Sequence, residues 1–264
     1  MTENLKDQPV TTPNLEPIAM AALEAGRLLM EAGASARGVE EIVATVALGL
    51  GVDRVDLRIG YASLAITIGI GDSGITRMRK VGHIGVNQSL DQELRHLAQR
   101  VECGGMTAAD VEAEMDRLVK STPRHSRIVM AIAVGLACAS FGRLLKVDWA
   151  GTGPVFLAAT IGQYIRRELA GRHFNPFLNA SFISFVSSVL GGIGARLAGS
   201  NTVATAMIAS ILLLVPGVPS LNAQNDILEG RPTLGSARAV WVAVILIFIT
   251  AGLWLGQVVI AEGR

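Results

Sequence analysis

Two kinds of hydrophobic pattern divide this chain. Over the first stretch, apolar residues recur with the periods of amphipathic elements. Ile18–Gly33 and Ala36–Gly51 show helical spacing, and each ends on a glycine suited to a left-handed cap. Val55, Leu57 and Ile59 then alternate with polar neighbours, as do Leu64, Ile66 and Ile68, which is the period of half-buried strands. Gly69–Gly74 predicts a turn and Ile75–Val81 a third strand. Ser89-Leu-Asp-Gln92 has the form of a capping box opening a helix to about Val101, and Thr107 opens another from Ala108 to about Lys120. The expectation is a small α+β domain over 17–121, around an antiparallel sheet, behind a loose polar tail at 1–16.

Beyond a linker at 122–127 the grammar changes. Uncharged runs extend over 128–142, 149–165, 173–195, 197–225 and 239–261. A helix needs about 20 residues to cross a hydrocarbon core. The runs predict spans near 128–145, 149–165, 174–195, 201–221 and 239–260, the first reaching its length if Arg143 snorkels to the interface. The second run is the shortest and carries Pro154 near its start. The fold class expected is an α-helical integral membrane protein of about five transmembrane helices, preceded by a small α+β cytoplasmic domain, with the membrane part over 128–264.

Composition sharpens the division. Of 264 residues, 50% are hydrophobic and 17% charged, with a mean hydropathy of +0.45. Residues 1–127 hold 31 of the 45 charged side chains (14 basic, 17 acidic), and residues 128–264 only 14. This excludes a single soluble globule and a disordered chain. A net charge of +1 without a basic stripe excludes a nucleic-acid binder. No basic segment followed by an apolar run marks a signal peptide. Cys103 and Cys138 form no CxxC pair, so neither a disulfide framework nor a zinc site is encoded.

Lys and Arg predict orientation. With the N-terminal domain cytoplasmic, Arg124, Arg127, Arg166, Arg167, Arg172, Arg231 and Arg238 flank the cytoplasmic side, against Arg143, Lys146, Arg196 and Arg264 opposite. The C-terminus then lies outside. Trp149, Trp241 and Trp254 fall near proposed span ends, where amphipathic rings prefer to sit.

Most soluble-enzyme chemistry is missing. Gly69-Ile-Gly71-Asp-Ser-Gly74 matches GxGxxG, but a strand follows where a dinucleotide site needs a helix, so it reads as a hairpin turn. His83, His96, His125 and His173 are scattered and suggest no metal site, and no GxSxG elbow is present, though Ser63 with His83 or His96 can be combined on paper. No cofactor is expected. Arg77 and Arg79, with Lys80, form a basic cluster on the third strand. Asp53, Asp56 and Arg58 lie on the preceding strand, and the plain reading is cross-strand charge pairing, the rival being an anionic ligand or a contact with the membrane domain.

In the membrane half, Ala131, Gly135 and Ala139 form one small-residue stripe, and Ser187, Gly191, Ala195 and Gly199 another, of the kind that lets helices pack closely. In Leu214-Val-Pro-Gly-Val-Pro-Ser-Leu-Asn-Ala-Gln-Asn-Asp226, Pro216, Gly217 and Pro219 interrupt a helix, and Asn222, Asn225 and Asp226 add polar capacity. Such a break either lines a binding cavity or ends a helix at the interface. Asn175 and Asn179, with Ser181 and Ser184, enter the third span, and Gln163 ends the second; path lining and packing hydrogen bonds compete there. The candidate path or gate is Gln163, Asn175, Asn179, Pro216, Gly217, Pro219, Asn222 and Asp226. An ammonium-bearing substrate would use Asp226 and freed carbonyls. A dicarboxylate would use Arg143, Arg166 or Arg167.

Several phrases together resemble the N-terminal half of the threonine/serine exporter family. They are Ala25-Gly-Arg-Leu-Leu-Met-Glu-Ala-Gly-Ala34, Val39-Glu-Glu-Ile42, Thr76-Arg-Met-Arg79, Asn87, Phe141-Gly-Arg-Leu-Leu145, Asn175-Pro-Phe177 and Leu213-Leu-Val-Pro-Gly-Val-Pro219 with Asn222 and Asp226. The resemblance runs from about residue 20 to 260. It implies a cytoplasmic domain followed by about five spans, working in efflux of threonine, serine or a dicarboxylate such as succinate across a bacterial inner membrane. Full-length members carry a second membrane half, so the resemblance further implies a separate small membrane subunit as partner, or self-association. The rival classes are a membrane-anchored ligand-sensing or scaffold protein and a membrane-tethered hydrolase.

Overall fold

A computed structural model describes residues 14–122, 126–172 and 174–262. The expected tail therefore lies outside the described residues except at 14–16, and so do Arg124, His125, His173 and Arg264. The chain divides into two compact units. One runs up to Thr122 and takes in Gln224–Gly235; the other comprises the intervening segment to Ala223 and the chain from Ser236 onward.

The N-terminal unit contains α1 (Leu15–Ala32), α2 (Ala36–Gly49), β1 (Arg54–Ile59), β2 (Ser63–Ile70), β3 (Ser73–Lys80), α3 (Gln88–Glu102) and α4 (Ala108–Ser121). The strands form an antiparallel sheet in the order β1-β2-β3. One sheet face is apolar: Leu64, Ile66 and Ile68 are fully buried with Leu23, Leu29 and Met30 of α1, Val39 and Val43 of α2, and Leu94 and Met115 of α3 and α4. Each such side chain contributes about 1.5–3 kcal/mol of burial. Gly33 closes α1 at φ 92, and the GxGxxG segment is a hairpin whose two-residue turn, Gly71-Asp72, places Gly71 at φ 54.

Two details depart from the sequence reading. The N-cap of α3 is Asn87, whose Oδ1 accepts from the Leu90 N–H at 3.2 Å; Ser89 is already inside the helix. Asn caps as well as Ser does, so the helix starts two residues earlier. Thr107 does cap α4, with Asp110 completing a capping box. Arg77 and Arg79 make no ion pair with β1, because β2 lies between the two strands. They sit opposite Ile66 and Leu64 on the face that meets α1. There Arg77 Nε donates to Glu16 at 2.9 Å, and Arg79 lies 2.8 Å from Glu24. Their aliphatic stems cover the sheet while their heads reach acids on the helix.

The second unit is built from α5 (Arg127–Leu144), α6 (Trp149–Gly171), α7 (Pro176–Leu197), α8 (Val203–Ala209), a 3-10 turn (Leu212–Leu214), the start of α9 (Gly217–Leu228) and most of α10 (Pro232–Glu262). Among the described residues, α5, α7 and α10 are long and apolar enough to cross a membrane. The bent pair Val203–Leu214 and Gly217–Leu228 makes a fourth if counted as one span. The sequence reading expected five. The missing one is 149–165: α6 has the length, at 23 residues, but Thr152, Pro154, Thr160, Gln163 and the Arg166-Arg167-Glu168 end dilute its apolar character. The small-residue stripes are buried inside this unit except at Gly199, which lies beyond the end of α7 at φ 71 and is exposed. A side chain at Gly135 would meet Thr160 Oγ1 of α6 at 2.0 Å, so α5 and α6 pack almost backbone to backbone.

Candidate functional site

The expected span 201–221 is broken. α8 passes through the 3-10 turn and stops at Val215, and α9 leaves at 64° to the preceding segment. Pro216 has no N–H to continue the ladder, and Pro219 removes a second donor three residues on. The new helix is started by local bonds: the Gly217 N–H donates to Val215 O at 2.9 Å, and Ser220 donates to Pro216 O through both N–H (3.0 Å) and Oγ (2.7 Å). Pro219, Asn222 and Asp226 share one face of α9 by spacing. Asn222 is half-buried and Asp226 fully buried, the latter within the N-terminal unit.

Against the 3-10 turn lies a small, half-open cavity of about 10 Å³, room for one water molecule. Its polar lining is Gln163 of α6, Ser187 of α7, Ser210 at the end of α8 and the thiol of Cys138 of α5, with Ile211 and Leu214 from the break itself. Ser210 Oγ donates back to Ala206 O at 2.8 Å. The Ser187 hydroxyl, 98% buried, and the half-buried Gln163 carboxamide form no side-chain hydrogen bond among the described residues. Buried polar groups are normally satisfied, so the Ser187 hydroxyl leaves hydrogen-bonding capacity beside the helix break. Ser187 fits there because Gly162 leaves room: a Cβ at 162 would stand 2.0 Å from Ser187 Oγ.

The other sequence candidates fall into three groups. Asn179 is buried one turn into α7; its Nδ2 donates to Arg166 O of α6 at 3.2 Å, and its Oδ1 has no partner among the described residues. Asn175 is occupied as the N-cap of α7, accepting from the Phe177 and Leu178 N–H groups at 2.9 and 3.3 Å. Arg143 is also engaged, stacked 4.1 Å from the Trp149 ring and donating to Val147 O. Arg166 and Arg167 form no ion pair among the described residues, whereas the neighbouring Glu168 pairs with Arg127 and Arg172. Two adjacent cations without acidic partners among the described residues are unusual on a largely apolar helix.

At the opposite end of α6, Asp148 ties two loops together. Its carboxylate accepts from Ser200 Oγ (2.7 Å) and from the N–H groups of Gly151 (2.8 Å) and Asn201 (2.8 Å), while its own N–H donates to Thr202 Oγ1 at 3.0 Å. The Ser200 hydroxyl, then these amides, hold the carboxyl below its ordinary range. Sequence reasoning missed Asp148, Ser210 and Cys138 and read Ser187 only as packing. Small polar residues in an apolar helix look alike until the helix rotation is known; the one available signal was that Ser187 lies on the stripe facing α6.

The chain matches the family described as "Putative threonine/serine exporter" over residues 20–260, and it belongs to that family. It is 31% identical over 228 residues to the "Probable succinate transporter subunit YjjP" of Escherichia coli (strain K12), covering 86% of this chain and 88% of that protein. A protein of the same name from Klebsiella aerogenes is 32% identical over 222 residues, 84% of this chain and 85% of its own length. An uncharacterized protein of Haemophilus influenzae is 22% identical over 279 residues, 92% of each chain. No solved structure matches.

Proposed function

We propose that this chain is a subunit of a secondary exporter that moves small polar metabolites out across a bacterial inner membrane, dicarboxylates of the succinate kind foremost. The observation that carries the reading is the broken span, whose 3-10 turn borders a cavity lined by unspent polar groups. A break at membrane depth exposes backbone that must be satisfied by protein or by what passes. In this reading Pro216, Gly217 and Pro219 form the hinge of a gate, with Asn222 and Asp226 on the moving helix. The N-terminal α+β domain is cytoplasmic and the C-terminus outside. Two relatives carry the word "subunit" in their names, which supports a second small membrane protein as partner.

The dicarboxylate is supported by those names and by Arg166 and Arg167, which form no ion pair among the described residues. Threonine or serine is the second reading, supported by the family description and by the buried carboxylate of Asp226, which suits an ammonium group. The test is efflux of preloaded labelled succinate, threonine and serine from cells without their own exporters. The chain is expressed alone and with the small membrane protein encoded beside it. Succinate export that needs both proteins is expected. Export of threonine or serine alone would transfer the assignment to the amino acids, and no export of any label from correctly inserted protein would end the exporter reading.

A further inference from the structure

Gln163 and the arginine pair lie on one helix at i, i+3 and i+4, so the carboxamide and the two guanidinium groups share a face of α6, about one 5.4 Å turn apart. Ser187 adds its hydroxyl to the Gln163 end from α7, seated over Gly162. Asn179, bonded to the Arg166 carbonyl, fixes the arginine turn against α7. This seam therefore has two chemically different ends. One is cationic with no acidic partner among the described residues; the other is neutral, with donors and acceptors, beside the helix break. Among the described residues that line it, the neutral end has no countercharge for a cation.

Resting on the exporter reading, we propose that this seam is the substrate site. Arg166 and Arg167 bind the carboxylate of a small linear organic acid, and Gln163 with Ser187 hydrogen-bonds its far carboxyl group. A neutral carboxamide and a hydroxyl can donate to a carboxylate oxygen or accept from a protonated carboxyl. Ammonium groups and purely apolar tails are both disfavoured there, the first by the arginines and the second by the unspent hydrogen-bonding groups. The cavity at the far end has room for one water only, so the ligand occupies it when the break opens.

The chain supplies its own reporter. Cys138 lines the same cavity, beside the backbone of Leu212 and Leu213 in the 3-10 turn. Cys103, the other cysteine, lies on the exposed end of α3 in the other unit. In Cys103→Ser protein, full length and in membranes with its partner, the rate of N-ethylmaleimide labelling of Cys138 is measured with and without added acid. Succinate is expected to slow labelling at least fivefold, and threonine and 1,4-butanediol to leave it unchanged. Gln163→Leu and Ser187→Ala are each expected to raise the half-protecting succinate concentration about 3- to 10-fold, the range of one hydrogen bond. Arg166→Gln with Arg167→Gln is expected to abolish protection.

Protection by threonine in place of succinate overturns the proposal, as does protection unaffected by Gln163→Leu and Ser187→Ala, or a thiol that never labels. Succinate efflux from the same cells separates the failures. Efflux without protection removes this site and leaves the exporter standing, while loss of both removes the exporter reading itself.

Discussion

Ser187 Oγ occupies the space that a side chain at Gly162 would need, with a Cβ at 162 only 2.0 Å away. That contact sets how closely α6 and α7 approach and holds the Ser187 hydroxyl beside Gln163. Gly162→Ala should force the two helices apart at a cost of about 1–3 kcal/mol, the usual range for overpacking. Lower yield of folded protein and a lower Tm in detergent are expected. Adding Ser187→Ala should recover most of the stability, because it removes the clashing oxygen, without recovering substrate protection. Equal Tm for Gly162→Ala and wild type would show that the helices are not this close.

The Asp148 clamp predicts an acid sensitivity. Its carboxyl is held below the ordinary value of 3.8, chiefly by the Ser200 hydroxyl. A group depressed in the folded state stabilises it fully above the unfolded pKa, and that contribution is lost as pH falls through the folded pKa. Wild-type Tm should therefore be flat near neutral pH as far as this group is concerned, and decline below about pH 4. Asp148→Asn should lower Tm at pH 7 and flatten the acid decline, because the carboxamide cannot accept from Ser200, Gly151 and Asn201 together. Parallel Tm–pH curves for the two proteins would contradict this.

Within the N-terminal unit, Arg231 of the α9–α10 loop pairs with Glu40 of α2 and lies 2.6 Å from Glu229. The Glu40 pair is partly exposed, so its worth is about 0.2–1 kcal/mol. Glu40→Lys should speed hydrogen exchange of residues 224–235 about twofold to fivefold, and Arg231→Glu in the same chain should slow it again. Exchange in that loop indifferent to both changes would mean that other contacts hold it.

Much of the fold was legible because period and punctuation agreed. Leu64, Ile66 and Ile68 alternate cleanly and are the buried face of β2. Thr107 announced α4, and Asp110 completes its capping box in the structure. The misreadings share one cause, that sequence does not show which faces meet. Arg77 and Arg79 suggested cross-strand partners, yet β2 separates them from β1 and α1 supplies Glu16 and Glu24. Within the site, Pro216 and Pro219 told of the break, and Gln163 was visible as a polar residue at depth. Ser187, Ser210 and Cys138 were not, because only the rotation of three helices brings them to one cavity. The small-residue stripes were contact surfaces at Gly135, covered by α6, and at Gly191, covered by the end of α8, but not at Gly199, which stands in open space.

The central claim is that the broken span is part of the export path. Pro216→Ala with Pro219→Ala restores two backbone N–H groups and lets α8 and α9 run on as one helix. The decisive measurement is efflux of preloaded labelled succinate from cells carrying the wild-type chain or this double variant, each with the partner subunit and at matched levels of inserted protein. Export by the wild type and a fall of at least about tenfold in the variant is the predicted result, equivalent to about 1.4 kcal/mol on the limiting step. Undiminished export through the straightened span would contradict it.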